Sequence, residues 1–475
     1  MFDTQPPSGA KARFNANVEA IALARTLAAE GRPADVDEQP VLARWSSWGA
    51  LPDVFDESKD NWAGERAQLQ QLLSADEYAA ARRTTVNAHF TAPAYAAAVW
   101  DAVRRLGFDR GDVLEPGSGS GTFIGLAPAG ANITGVELDG ISSAIAKGLY
   151  PAADIRNESF ADSRLLRDTF DLTIGNVPFG NVTLHDPVFN PNRHSLHNHF
   201  IIKSLQLTRP GGLVAVLTSH FTLDAANPAA RREMNGLADL VGAVRLPSGA
   251  HRRSAGTEAL TDLLILRRRE PGTPPVDHSW ETVVPVSVAT SDNGLGTAHL
   301  NAYFTRRPKH VLGTMTIGEG MFGADTLHVV SDDLTATAAK LQGALQSVVD
   351  DALEFGQGYA PRSREQLQER AARRRAEPGL WDGTIVANVG TSFSSVRDGY
   401  LEELKVPRNA AAELHSLLSL RDSAKTVLQM EAASTDDTRD LAAERGTLRQ
   451  KYNRYQNSYG PLNRFTTRPT GRVDE

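Results

Sequence analysis

Two short segments of this chain hold residues whose types and spacing suit chemistry. The first is Glu115-Pro116-Gly117-Ser118-Gly119-Ser120-Gly121-Thr122-Phe123. It follows the apolar run DVLEP, which reads as a strand, and it is expected to open a helix. Glycines in such a turn let the backbone approach a ligand closely. In doubly wound sheets that turn borders the binding crevice at the carboxyl ends of the strands. A dinucleotide loop would need G-x-G-x-x-G, but the last position is Thr122 counted from Gly117 and Ile124 counted from Gly119. No Gly-Lys-Ser/Thr follows, so the P-loop pattern fails as well. About twenty residues on, Gly135-Val136-Glu137-Leu138-Asp139 puts Glu137 at the end of a second strand. A carboxylate there can accept hydrogen bonds from both ribose hydroxyls. Glycine turn and acidic strand end, without a pyrophosphate pattern, suit an adenosine that carries no phosphates. S-adenosylmethionine (SAM) is such a molecule.

The second segment is Ile174-Gly175-Asn176-Val177-Pro178-Phe179-Gly180, right after a fourth strand, FDLTIGN. Fifty-nine residues separate Gly117 from Asn176, which predicts that the two turns share one edge of the sheet. Asn, Pro and Gly are ordinary turn residues, but in register with the glycine loop they suit methylation of an exocyclic amine. The N6 lone pair of adenine is delocalised into the ring and is a poor nucleophile. Two acceptors on its hydrogens draw that nitrogen toward a tetrahedral, more nucleophilic state. The Asn176 side-chain oxygen and the Val177 carbonyl are the candidates, with Pro178 fixing the turn. The ring of Phe179 can stack on the base, which is worth about 1–3 kcal/mol. That offsets part of the few kcal/mol needed to extract a base from a duplex.

The elements that must hold these turns are legible from periodicity. ITGVEL, ADIRNE, GGLVAVLTS, LADLVGAVRLP and TDLLILRRR read as further strands; ISSAIAKGLY and NHFIIKSLQLTRP read as helices. Alternating strands and helices mean βαβ units and a parallel sheet covered on both faces. The predicted fold is α/β, a doubly wound Rossmann-like sheet of about seven strands in roughly 155 residues. Residues 1–84 read as an N-terminal helical region and 85–270 as the sheet domain. Residues 271–410 read as an α+β region suited to target recognition, and 411–475 as a helical basic region.

Composition narrows the chemistry. The 475 residues include no cysteine, which excludes disulfides, thiolate-bound zinc, iron–sulfur clusters and a cysteine nucleophile. Methylation at cytosine C5, which normally uses that nucleophile, is therefore disfavoured. No apolar run approaches a membrane span and the N-terminus lacks an apolar signal segment, so a cytoplasmic protein without a membrane partner is expected. The net charge of −7 is uneven. Residues 1–80 carry thirteen acids against seven bases, whereas Arg445 to Arg472 holds only basic charges, interleaved with Tyr452, Tyr455, Tyr459 and Phe465. Arg362 to Arg375 holds six arginines against two glutamates. Such runs suit either a solvated helix face or a nucleic-acid strand, with Lys451 and Tyr452 as candidate contacts. His251-Arg252-Arg253, between the last two strands, reads either as a phosphate clamp or as an exposed hairpin tip. His185, His194, His197 and His199 crowd the segment after Phe179. They admit a metal by residue type, but a loop closing over substrate is the preferred reading, with no metal.

EPGSGSGTF and NVPFG together resemble motifs I and IV of SAM-dependent N6-adenine DNA methyltransferases, in the order of the gamma arrangement. NAHFTAP resembles motif X, which implies that Thr91 helps hold the methionine end of SAM. Phe160 in NESFAD matches the apolar contact to the SAM adenine. The glycine motif, with Glu115, Pro116, Gly117, Gly119, Gly121 and Phe123, would complete the cofactor site with Glu137. LARWSSWGALPDVFD, NVPFGNVTLHDP, RPGGLVAVLTS, RLPSGAHRRSAGTEALTDLLILRRR and VLGTMTIGEGMFGADTLHV narrow the resemblance. They are similar to the methyltransferase half of phage- and plasmid-borne methylase–helicase proteins of the defence-against-restriction B type, over most of residues 40–330. The resemblance implies a site-specific adenine methyltransferase acting on double-stranded DNA. KYNRYQNSYGPLNRF resembles the junction where the helicase half begins, which implies a separate helicase as a partner. One departure is Val177, where the family has proline: the carbonyl is kept and one rigid φ is lost. Methylation of RNA or of protein glutamine, and a DNA-binding or anti-restriction module without turnover, stay open.

Overall fold

The computed structural model describes residues 7–474 except 88–90, 252–258, 291–293, 320–324, 373, 375, 378–379, 382, 389, 391, 398–399, 434–435, 464–465 and 468–472. The chain divides into two compact units, 1–361 and 362–475.

The first unit is built on a seven-stranded sheet. Its strands are β1 (Arg110–Pro116), β2 (Gly130–Glu137), β3 (Asp154–Asn157), β4 (Phe170–Asn176), β5 (Thr208–Ser219), β6 (Ala238–Arg245) and β7 (Thr261–Arg268). Their order is β3-β2-β1-β4-β5-β7-β6. The predicted all-parallel sheet needs one correction: β7 runs antiparallel to both β5 and β6. A parallel return would need a crossover, usually a helix, and the connecting PSGAHRRSAGTEA carries no amphipathic helical pattern. This arrangement is the Rossmann-like fold of SAM-dependent methyltransferases.

The strands read as near-continuous apolar runs because both faces are covered. Along β5, Leu213, Ala215 and Leu217 enter one core, while Val214 and Val216 enter the other. The first core is closed by α5 (Pro93–Arg105) and by the helix Thr337–Glu354, through Val99, Trp100, Leu341 and Val348. The second is closed by α7 (Leu196–Leu207) and α9 (Ala229–Leu237), through Ile201, Leu205 and Met234. A short helix, α8 (Phe221–Asp224), follows β5. Pro93 stands in the first turn of α5, where its missing N–H costs nothing.

The N-terminal helices are α1 (Ala10–Glu30), α2 (Gln39–Ala43), α3 (Ala63–Leu72) and α4 (Ala75–Asn87). They share a third core, rich in Trp45, Trp48 and Trp62, which also takes in Ile145 and Leu149 of α6 (Gly140–Leu149). The segment ERAQLQQLLSADEYAAARR forms two helices. Ser74 and Glu77 form a capping box between them: the Glu77 amide donates to Ser74 Oγ (3.2 Å) and the Ser74 amide to Glu77 Oε2 (2.8 Å). α4 then runs on to Asn87.

Beyond β7 a four-stranded sheet has the order β11-β10-β8-β9, from β8 (Val283–Thr290), β9 (Leu295–Asn301), β10 (Thr314–Glu319) and β11 (Asp325–Val330). The second unit carries the antiparallel strands β12 (Ile385–Ala387), β13 (Phe393–Arg397) and β14 (Tyr400–Leu404), and two long helices, Arg408–Ala433 and Arg439–Tyr459. Tyr455 is buried and donates to Glu413 Oε1 across those helices (2.7 Å). No helix among the described residues is long and apolar enough to cross a membrane.

Candidate active site

The carboxyl ends of β1, β2 and β4 surround a cavity of about 550 Å³, a volume within the range of small-molecule sites. Of the residues singled out by sequence, Thr91, Glu115, Gly117, Gly119, Phe123, Glu137, Phe160, Asn176, Val177 and Pro178 line it. Pro116, Gly121 and Phe179 are adjacent in sequence but are not among its wall residues. Phe179 is half-buried. Arg252 and Arg253 lie outside the described residues, and Lys451 and Tyr452 belong to the second unit.

The glycine loop does not open an α-helix, contrary to expectation. A single 3-10 turn, Ile124–Leu126, follows it. Gly117, Gly119 and Gly121 all have positive φ, at 71°, 54° and 89°, and Pro128 lies close behind, so the backbone cannot settle into a helix. The loop is instead pinned to β2: the amides of Gly117 and Ser118 both donate to the Val136 carbonyl, at 2.8 and 3.1 Å. Gly121 marks close backbone packing, since a Cβ there would stand 2.6 Å from Tyr150 Cε2.

Glu137 ends β2 as predicted, and both of its oxygens are engaged. Oε2 accepts from the Gly119 amide and Oε1 from the Asp139 amide, each at 2.7 Å. Burial pushes its pKa up to about 7 against the pull of those amides. Burial also raises Glu115 well above the usual carboxylate range; the Ile124 and Phe123 amides oppose this, and the charge of Glu137 adds to it. Glu115 Oε2 and Ser118 Oγ are buried on the cavity wall without a hydrogen-bond partner. Both atoms are available to meet a polar ligand in the cavity. Glycine backbone, ribose-sized carboxylate and orphaned polar atoms together fit SAM.

Phe160 is 3% exposed and packs against Phe200, the ring centroids 4.7 Å apart and the planes tilted by 43°. The Asn176–Phe179 turn is fixed from below: Asn176 pairs with Leu217 of β5, and the Val177 amide donates to the Leu217 carbonyl at 3.0 Å. Gly117 sits against this turn, a Cβ there reaching Pro178 Cδ at 3.5 Å. The two turns therefore meet, as the 59-residue spacing predicts.

The histidines after Phe179 are spread over separate partners. His194 lies 2.7 Å from Glu233 and His199 3.0 Å from Asp186, while His197 Nε2 lies 3.3 Å from Ser195 Oγ. Burial lowers His197 to about 4. Among the described residues no group of three or more His, Asp or Glu side chains is arranged to hold a metal ion. His251 is fully buried with Nε2 3.1 Å from Thr261 Oγ1, so that position is not an exposed tip.

Sequence reasoning missed a wall that the N-terminal region contributes. Ser47, Ala80, Arg83 and Thr84 line the same cavity. Ala80, Arg83 and Thr84 follow i, i+3, i+4 spacing, which puts them on one helix face, and that spacing was the available signal. It also missed Lys203, fully buried beneath the site. Its ammonium donates to the carbonyls of Phe160, Ala161 and Ser163 and to Asp186 Oδ2.

No family model matches the chain. It is 28% identical over 189 residues to Defense against restriction protein B of Escherichia phage P1, a match covering 39% of this chain and 8% of that protein. Similar solved structures include a methyltransferase subunit of a type I restriction-modification system from Streptococcus thermophilus. It has 14% identity and a TM-score of 0.36, over 73% of this chain and 78% of that one. A protein from Vibrio vulnificus YJ016, assigned as a type I restriction enzyme modification subunit, has 18% identity and a TM-score of 0.34, over 44% and 50%. The chain thus spans a small fraction of the curated relative and half of the latter structure. Over those 189 residues the chain is similar to Defense against restriction protein B, and its sheet has the strand order of the SAM-dependent methyltransferase fold.

Proposed function

We propose that this chain transfers a methyl group from SAM to the exocyclic N6 amine of a flipped adenine in double-stranded DNA. The observation that carries the proposal is the meeting of the glycine loop and the Asn176–Pro178 turn on one cavity wall, with Glu137 and Phe160 beside them. Thr91, the glycine loop, Glu137 and Phe160 hold the cofactor, which when bound supplies an electrophilic methyl on sulfur. Asn176 Oδ1 and the Val177 carbonyl accept the two N6 hydrogens and orient the nitrogen lone pair. Phe179 stacks on the extruded base. An N–C bond forms, an S–C bond breaks, and the surplus N6 proton leaves to solvent. Nothing in this scheme needs a cysteine, in keeping with a sequence that has none. The similarity to Defense against restriction protein B supports DNA as the polymer.

The test is labelled SAM with unmethylated duplex DNA, comparing wild type with Asn176→Ala. The expected result is label in N6-methyladenine for the wild type and a loss of at least about a hundredfold in the variant. Sequencing of DNA from a methylation-free host expressing the chain reads the same activity and gives its site. Binding of SAM without transfer to any DNA refutes the proposal and favours a module without turnover. Transfer to RNA or to protein glutamine redirects it.

A further inference from the structure

Arg83 is the one cationic side chain among the described residues of a cavity wall that also carries four carboxyl groups, Glu115, Glu137, Asp139 and Glu158. SAM presents the reverse pattern. Its sulfonium and ammonium are cations, and its methionine carboxylate is its single anion. A wall of acids attracts the two cations and repels the carboxylate unless a positive group meets it. We propose that Arg83 is that group, the anchor of the methionine carboxylate. The proposal rests on the SAM reading of the cavity.

Three observations converge on Arg83. First, its side chain is exposed and makes no hydrogen bond or ion pair with another described residue. Arg82 is likewise exposed and without such a bond, but it does not line this cavity, whereas Arg25 is held by Glu77, Arg32 by Glu30 and Glu38, and Arg66 by the Val54 and Lys59 carbonyls. Second, Ala80 and Thr84 of the same helix face reach the wall with it, so α4 is aimed at the cavity. Third, α4 ends at Asn87, four residues before Thr91, which lines the same cavity and is the expected methionine-end residue. The planar guanidinium fork matches a carboxylate in a bidentate pair. The N-terminal helical region is then part of the cofactor site.

The experiment compares two ligands by calorimetry on the full chain. S-adenosylhomocysteine carries the amino-acid end; 5′-methylthioadenosine lacks it. Arg83→Gln is expected to weaken S-adenosylhomocysteine roughly tenfold and to leave 5′-methylthioadenosine unchanged, with Arg83→Lys recovering part of the loss. Unchanged S-adenosylhomocysteine affinity in Arg83→Gln overturns the proposal. Equal weakening of both ligands also overturns it, because the effect is then on the fold of the wall. A wild type that binds neither ligand overturns the SAM reading itself, an outcome distinct from the other two.

Discussion

Glu137 Oε2 accepts a 2.7 Å hydrogen bond from the Gly119 amide, which ties the end of β2 to the glycine loop. Each Glu137 oxygen keeps a second lone pair for a ribose hydroxyl. Those bonds are strongest to the ionised carboxylate, and burial has raised its pKa to about 7. Ligand binding should therefore release a proton at pH 6 and none at pH 8. Affinity for S-adenosylhomocysteine is expected to rise with pH across this window, by at most about tenfold per unit. Glu137→Gln should lose about 1.5–3 kcal/mol of binding and flatten the profile. In the unliganded protein the sign is opposite. A carboxyl raised from 4.5 to about 7 adds stability that is fully present below pH 4.5 and lost as pH rises through 7. Saturating ligand should thus raise the melting temperature more at pH 8 than at pH 6.

The Asp186–Lys203 pair joins the segment after the Asn176 turn to the one that carries Phe160. The ammonium lies 3.1 Å from Asp186 Oδ2, and neither side chain exceeds 4% exposure. Burial alone would raise Asp186, but the His199 hydrogen bond, the Phe189 amide and Lys203 outweigh it and hold the group at about 2. Lys203→Met removes one partner of a buried pair and should cost about 3–5 kcal/mol in urea unfolding. The double variant Lys203→Met/Asp186→Asn should recover a large part of that loss. A single-variant cost below about 1 kcal/mol would show that the pair contributes little.

Gly121 should tolerate nothing larger. Its φ is +89°, and an added Cβ would meet Tyr150 Cε2 at 2.6 Å and Cδ2 at 2.9 Å. Gly121→Ala is expected to cost about 1–3 kcal/mol from backbone strain alone and more from the clash. Tyr150→Leu in the same chain should relieve the clash but not the strain, so stability recovers in part. Full recovery would place the whole cost on the ring.

The strands of the seven-stranded sheet were legible because burial on both faces writes most of them as apolar runs bounded by turn residues. The meeting of Gly117 with Pro178 was legible for the same reason, since both close strands of one edge. The antiparallel β7 was not, because direction leaves no mark on a strand's composition. The β8–β9 hairpin was missed as well: its strands mix exposed, half-buried and buried residues without a continuous apolar run, and Pro285 stands inside the first. The glycine loop was misread as opening a helix, because its backbone is decided by three positive φ angles that sequence spacing cannot display. Arg83 and Lys203 were overlooked for opposite reasons. One stands on a polar helix just ahead of the NAHFTAP segment and outside every motif, and the other is a charge buried inside an apolar helix. Side-chain partners across the fold decide both.

The basic C-terminal helix yields a prediction about which of its charges meets DNA. Its residues are not equivalent. Arg445 is held by Glu431 and Asp437 at 2.8 and 2.5 Å, and Lys451 donates to Ser423 Oγ at 2.7 Å. These pairs serve the packing of the two long helices of the second unit, so Lys451 is a poor candidate for the phosphate contact expected of it. Arg449, Tyr452 and Arg454 are exposed and make no bond to another described residue. If this helix binds duplex DNA, phosphate neutralisation falls to the two arginines and stacking to the tyrosine. Removing one cation from a phosphate lowers the slope of log affinity against log salt by about 0.9. Arg449→Ala and Arg454→Ala should each reduce the slope by about that amount in fluorescence anisotropy with a duplex probe. Lys451→Ala should leave the slope unchanged and lower the thermal stability of the second unit. A slope that moves with Lys451 and not with the arginines would reverse the assignment, and affinity flat in salt for the wild type would remove this helix from the DNA interface altogether.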